Sequence, residues 1–295
     1  MNYPKVSIIM LNWNNYKDTK ECMESLGQVT YPNYEVVVVD NCSADDSTRK
    51  IQKEFPDFKY IYNKDNLGFT GGNNAGLKYA TDGNSEFFLV LNNDIIVDKF
   101  FLGYLVEAML EDKSIGIVGS LNYDYYEPEK IISAGRKMSY LNGNATHILE
   151  PADNQRELDA IWGCCMLIRR EVFEKIGYFY EPYFFSFEEI DFCVKAKKEG
   201  FKIVCEPKSK IWHKVSNTIG KMSAFGVYYG YRNKLLFVKR NYPVYIKWPF
   251  YSYYIIYVFL KSIIYKIKGN KKMAFATKSA LFDFINKKFG RNSAF

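Results

Sequence analysis

The feature that most constrains this chain is an alternation of apolar, strand-like runs with helix-like segments across its first 120 residues. Lys5–Leu11 and Tyr34–Asp40 are continuous runs rich in β-branched residues, the pattern of strands buried on both faces. Phe58–Tyr62, Phe87–Leu91 and Ile115–Gly119 predict three more strands. Between them, Asp18–Leu26, Thr48–Phe55, Gly76–Ala80 and Lys99–Leu110 predict helices, with Ser43–Asp46 supplying caps for the second. Repeated βαβ units give a mostly parallel sheet with helices on both faces. Ligands on such sheets gather at the carboxyl ends of the strands, where strand order reverses. From 121 to 160 the rhythm breaks, and Asn142-Gly143 predicts a hairpin turn. Ala160–Ile168, helices at Arg170–Ile176 and near Glu188–Glu199, and strands near Lys202–Cys205 and Lys210–Trp212 follow. The remainder, from about Ile219, reads as helical and basic.

Charge divides the chain more sharply than its net +7 suggests. Residues 1–201 carry 21 Lys and Arg against 31 Asp and Glu, whereas residues 202–295 carry 19 against 2. Such a basic end implies an anionic partner, either nucleic acid or a membrane surface. No nucleic-acid-binding motif is present. Tyr242–Tyr265 instead holds ten aromatics, with Lys247 and Lys261 among them and Lys266, Lys268, Lys271 and Lys272 just beyond. Aromatics and lysines mixed in this way suit a helix pair lying on an anionic bilayer. No run approaches the ~18 apolar residues of a transmembrane span, so none is expected. The six cysteines form no CxxC pair, which predicts free thiols and a reducing compartment.

Several nucleotide-binding classes are excluded. No glycine follows the first strand, where Asn12–Tyr16 stands, and no GxxxxGK[ST] occurs. A dinucleotide fingerprint and a P-loop both require those glycines. Asp40 and Asn41 end the second strand, where an acid accepts from a base or ribose, or caps a helix. Asn66–Gly76 places glycines at 68, 71, 72 and 76, read as a loop that opens a helix and lets backbone approach a phosphate or sugar. Asn92-Asn93-Asp94 ends the fourth strand, and a carboxylate there is costly unless paired or bound to a cation such as Mg²⁺ or Mn²⁺. Glu188, Glu189 and Asp191 either answer a helix dipole or include a general base. His213, just past a strand, is one of two histidines.

Taken in order, Val6–Asn14, Val37–Asn41 with Ser43, Asn66–Gly76, Leu91–Asp94, Trp162–Arg170, Ile176–Asp191, His213 and Tyr231–Asn233 resemble glycosyltransferase family 2, rhamnosyltransferase-like branch. The resemblance implies an α/β fold of the GT-A nucleotide-diphospho-sugar transferase type over 1–217, with a nucleotide-binding half (1–120) and an acceptor-binding half (121–217). A basic, aromatic, membrane-associating helical region would occupy 218–295. It also implies an inverting transfer from dTDP-rhamnose or a UDP-sugar to a hydroxyl of a surface glycan or lipid-linked precursor, on the cytoplasmic face of the membrane. In that frame Asn12, Asn14, Asp40, Asn41, Asn66, Gly68, Gly72, Asn73, Asn92 and Asn93 would line the donor site. Asp94 and His213 would hold Mn²⁺ or Mg²⁺. Glu189 would be the base with Asp191 as its alternate, and Trp162, Gly163, Glu188 and Arg232 would meet the acceptor. Two positions depart from the family pattern: Asn92 replaces the first carboxylate of the metal motif, and Glu189 stands where the family has aspartate. Those departures leave a second reading, a catalytically silent domain of this fold serving as a membrane-bound assembly partner.

Overall fold

A computed structural model describes residues 3–215 and 223–295. The main sheet is built on four parallel strands, β1 (Val6–Asn12), β2 (Tyr34–Asp40), β3 (Lys59–Tyr62) and β4 (Phe87–Asn92), with β1 between β2 and β4. The chain steps outward from β1 to β3, then returns to the other side of β1. The order therefore reverses between β1 and β4, so Asn12 and Asn92 end at the switch point where ligands collect. Beyond β4 the sheet continues through β11 (Cys165–Arg169), β6 (Ile115–Asp124) and β12 (Lys202–His213). Here β11 runs antiparallel to both neighbours, while β6 and β12 are parallel.

Both faces of the sheet are covered, which is why its strands read as unbroken apolar runs. Ile8, Met10, Val36, Val38 and Leu89 face a core closed by α1 (Tyr16–Leu26) and α4 (Phe101–Glu111). Ile9, Val37, Val39, Phe88 and Val90 face the other core, closed by α3 (Gly68–Thr81), α5 (Arg170–Ile176) and α6 (Glu188–Lys198).

Two sequence expectations are corrected. The third helix starts at Gly68, not near Gly76, so the glycine-rich stretch is helix rather than loop. Its glycines let α3 lie against the sheet: a methyl on Gly72 would come within 2.4 Å of Leu11, and one on Gly76 within 2.6 Å of Ile9 and 2.9 Å of Val39. The two strands expected after residue 201 are one, β12, with a register shift between Glu206 and Lys210. A short strand, β5 (Ile95–Val97), pairs with the end of β12 and brings Ile95 opposite His213. The expected hairpin is present as β8 (Arg136–Ser139) and β9 (Asn144–His147), with Gly143 at φ +64° in its turn.

Three helices follow, α7 (Ala224–Asn241), α8 (Val244–Ile267) and α9 (Lys271–Ile285). The expected boundary at 217/218 lies outside the described residues. Helix α7 is rooted by buried Tyr228, Tyr229, Leu235 and Phe237. Among the described residues no helix is long and apolar enough to cross a membrane.

Candidate active site

At the switch point the polar ends of β1, β2 and β4 are tied into one network. Asn12, fully buried, donates from Nδ2 to Ser47 Oγ (3.0 Å) and Thr48 Oγ1 (2.6 Å). Its Oδ1 accepts from Thr19 Oγ1 (3.0 Å) and Asn93 Nδ2 (3.3 Å). Both ends of the amide are committed, so Asn12 shapes this corner and has no group left for the nucleoside expected of it. Asp40 accepts from Thr48 Oγ1 (2.7 Å) and from the Ser43 amide. Exposed Asn14, at φ 52°, accepts from the Ala44 amide (2.7 Å) and ties the first loop to the second. Asn41 accepts from the Leu67 amide and donates to Asn66 Oδ1 (3.0 Å) and Gly68 O (3.1 Å), fixing the start of α3. Asn73 donates to Phe69 O within that helix and is buried. Together with Gly72 it has a packing role in place of the expected donor contact. Asn92 donates its backbone N–H to Cys164 O (2.9 Å) beside the site.

Asp94 lies just past β4. Its Oδ1 is 3.2 Å from Nε2 of His213, which β12 delivers to the same corner. Both side chains are buried. Lys214, next in sequence, donates its backbone N–H to Asp94 O (3.0 Å) and its Nζ to Asp18 Oδ1 (2.7 Å), pinning the strand end. One carboxylate and one imidazole do not enclose a cation, and among the described residues no group of three or more His, Cys, Asp or Glu side chains does. Two donors do suit a hard divalent ion that takes its other ligands from substrate phosphates and water.

Trp162 joins this corner to the opposite one. Its ring lies 4.8 Å from that of His213 and 4.6 Å from that of His147 on β9. Arg136 on β8 sits over the same indole, 5.8 Å from its centre, and donates from Nη1 to Glu189 Oε1 (2.7 Å). Gly163 packs on Glu189, where a methyl would approach its Cβ to 3.1 Å. Glu188 is buried beside it. Burial, and then the charge of Glu189, hold the Glu188 carboxyl well above the usual range, favouring its protonated form. His147 accepts or donates at Nε2 with Arg136 (2.9 Å) and at Nδ1 with Ser133 Oγ (2.8 Å). Burial, and then the Arg136 charge, lower its ring to about 4. The imidazole is therefore neutral, and with Arg136 always a donor, Nε2 accepts and Nδ1–H donates.

Native structures leave few buried polar atoms unpaired. Of the eight buried side-chain atoms without a hydrogen-bond partner among the described residues, five belong here: Asp94 Oδ1, His213 Nδ1, Arg136 Nε, Glu188 Oε2 and Glu189 Oε2. Backbone strain concentrates at the same place. Phe184, Ser186 and Phe187, none of them glycine, adopt φ of 64°, 71° and 77° immediately before Glu188. Such conformations persist only where surroundings impose them, and they cluster at functional sites. Asn233 imposes them here: its Nδ2 reaches Tyr183 O (2.9 Å), Phe185 O (2.8 Å) and Ser186 O (3.0 Å).

Two expected site residues are elsewhere. Asp191 is one turn further along α6 and is held by Arg240 (3.1 Å), Asn241 (2.6 Å), Tyr183 (3.2 Å) and Lys195 (3.7 Å). It locks α6 to α7 and is consumed by that task, so it is no alternate base. Arg232 is buried and donates to Gly290 O, Tyr183 O and Pro182 O between the rings of Tyr228 and Tyr229. It buttresses the strained loop and is not free for an acceptor phosphate. Sequence reasoning missed Arg136 and His147, which lie in the irregular 121–160 stretch where no periodicity or motif marks them.

Residues 7–177 match the model of the glycosyl transferase family 2. The chain belongs to that family. It is 30% identical over 249 residues to the low-salt glycan biosynthesis hexosyltransferase Agl10 of Haloferax volcanii, covering 78% of this chain and 74% of that one. It is 23% identical to the N-acetylglucosaminyl-diphospho-decaprenol L-rhamnosyltransferase of Mycobacterium tuberculosis, over 68% of this chain and 72% of that one. Two further relatives are longer proteins, of which the chain spans 25% and 17%. Among solved structures, the Pyrobaculum calidifontis mannosyltransferase PcManGT in complex with GDP-Man and Mn²⁺ superposes with a TM-score of 0.62 at 14% identity. That match covers 97% of this chain and 88% of the other. The likeness places the fold of this family 2 glycosyltransferase in the GT-A class.

Proposed function

We propose that this enzyme transfers a sugar from a nucleotide-diphospho-sugar to a hydroxyl of a glycan or lipid-linked precursor, with inversion, and that Glu189 is the base. The observation that carries this reading is the clustering of five unpartnered buried polar atoms around Trp162, from Asp94 and His213 at one end to Glu189 at the other. Arg136 occupies Oε1 of Glu189 and orients the carboxylate, leaving Oε2 to take the proton of the attacking acceptor hydroxyl. That hydroxyl displaces the nucleoside diphosphate at the anomeric carbon in one step, so no side-chain nucleophile is needed. Glu188, kept neutral by burial, adds no second negative charge next to the base. Asp94 and His213 would hold Mn²⁺ or Mg²⁺, which would offset charge on the departing diphosphate. The Mn²⁺ of PcManGT supports the metal, and the mycobacterial relative, an N-acetylglucosaminyl-diphospho-decaprenol L-rhamnosyltransferase, supports a rhamnosyl donor and a lipid-diphosphate acceptor.

Association with the cytoplasmic face of a membrane is part of the proposal. On α8, Trp248, Ile256, Phe259, Ile263 and Ile267 are exposed, and Phe275, Phe282 and Ile285 are exposed on α9. Lysines 261, 266, 268, 271 and 272 border them, an arrangement suited to lying on anionic lipid.

Calorimetric titration with UDP, dTDP and GDP, each with and without Mn²⁺, tests the donor site. Metal-dependent binding of one nucleotide, lost in Asp94→Ala, is expected. Glu189→Gln should abolish transfer and keep that binding. Absence of binding for all three nucleotides would favour the silent-domain reading.

A further inference from the structure

A cavity of about 570 Å³ opens between the β8–β9 hairpin, the strained loop and helices α7 and α8. Arg136 and Lys234 are its cations, and no acidic side chain is among the described residues that line it. Lys234 donates to Asn144 Oδ1 and lies 5.3 Å from the centre of the Tyr254 ring. It has no carboxylate within ion-pair distance among the described residues, and burial lowers its amine to about 8. Arg136 Nε–H is likewise without a partner. A half-buried cation with no counter-charge favours an anion at its side. Arg136, which lines the cavity, already touches Glu189 with its guanidinium. Tyr254 and Tyr265 line it from α8, the helix whose opposite face exposes Ile256, Phe259 and Ile267.

We propose that this cavity receives a phosphate group carried by the acceptor, held by Lys234 in the field of the Arg136 guanidinium, so that the adjoining sugar hydroxyl meets Glu189. The assignment rests on the glycosyltransferase reading and adds the place and the residues that hold the acceptor's phosphate. The phosphate belongs either to a lipid-linked acceptor or to a water-soluble sugar phosphate.

The test is binding of geranyl diphosphate, geraniol and glucose 1-phosphate to the full chain in EDTA, which keeps metal-dependent donor binding out of the measurement. Geranyl diphosphate should bind, and geraniol should not. Lys234→Met should weaken the binding about ten- to a hundredfold, the range of a lost charge-assisted contact, and Lys234→Arg should restore it. Gly230→Met is a second probe: Gly230 faces open space within the cavity, so the new side chain fits the helix and fills the site. It should block binding without lowering the melting temperature. Tighter binding of geranyl diphosphate than of glucose 1-phosphate supports a lipid-linked acceptor, and equal, Lys234-dependent binding of the two supports a soluble one. Binding of geraniol equal to that of its diphosphate, or binding unchanged in both Lys234→Met and Gly230→Met, overturns the proposal. Nucleotide binding with Mn²⁺, measured on the same protein variants without EDTA, tells the failures apart. If it persists, only the cavity assignment falls; if it is absent from the unmutated protein, the underlying reading falls with it.

Discussion

Replacing Asn233 by Leu keeps the branched shape of the side chain and removes the amide that staples the base-bearing loop. Tyr183 O keeps other donors, since Arg232 Nη2 (3.0 Å) and the Phe185 amide (2.7 Å) still reach it. Phe185 O and Ser186 O lose their side-chain partner. At about 1–2 kcal/mol for each buried carbonyl left unpaired, the loss is about 2–4 kcal/mol. The three left-handed residues store about 1–3 kcal/mol each. Once the staple is gone, relaxation of that strain becomes favourable, and it moves Glu189 because Phe187 caps the helix that carries it. A displacement of about 1 Å at a reacting group costs about a hundredfold in rate. Urea denaturation should therefore show a loss near the lower end of that range. Transfer assays should show kcat down about a hundredfold, with nucleotide affinity unchanged because the donor corner lies on β1, β2 and β4. A variant that loses about 2 kcal/mol yet transfers sugar at the normal rate would refute the idea that the strained loop presents the base.

Asp191→Asn should behave opposite to Glu189→Gln. Breaking its buried contacts with Arg240 and Lys195 should cost about 3 kcal/mol in denaturant unfolding, with transfer per folded molecule largely retained. Gly76→Ala should destabilise by about 1–3 kcal/mol, because both neighbouring methyls belong to buried strands, and nucleotide titration should find affinity unaltered. His147 makes stability pH-dependent. Its ring titrates near 6.5 when unfolded and at about 4 when folded, so the folded state binds fewer protons between those values. Its contribution is complete above about pH 6.5 and falls by up to about 3 kcal/mol as pH drops through that window. His147→Gln should flatten melting curves recorded from pH 7 to 4, and an unchanged slope would place the dependence elsewhere.

The sheet, its carboxyl-end acids and the family were legible because buried parallel strands are written as continuous apolar runs, such as Val36–Val39, bounded by polar residues such as Asp40. The Asn142-Gly143 dipeptide also marked the hairpin, and charge and aromatic content marked the basic end. The glycines of α3 were legible as residues but not as a role. A glycine that spares a loop and one that admits a helix to a sheet look alike until Leu11 and Ile9 are seen beneath them. Asp191 and Arg232 were misassigned for a related reason. Whether a charged side chain is free for substrate or spent on structure depends on partners 49 residues away, Arg240 for Asp191 and Tyr183 for Arg232. Sequence alone thus determined which segments form strands and helices and which residue types stand at the strand ends, because both follow from local pattern. Tertiary structure alone decided that Arg136 holds the base, that His147 holds Arg136 and that Asn233 holds the base-bearing loop, because hydrogen bonds across 53, 11 or 47 residues leave no trace in spacing.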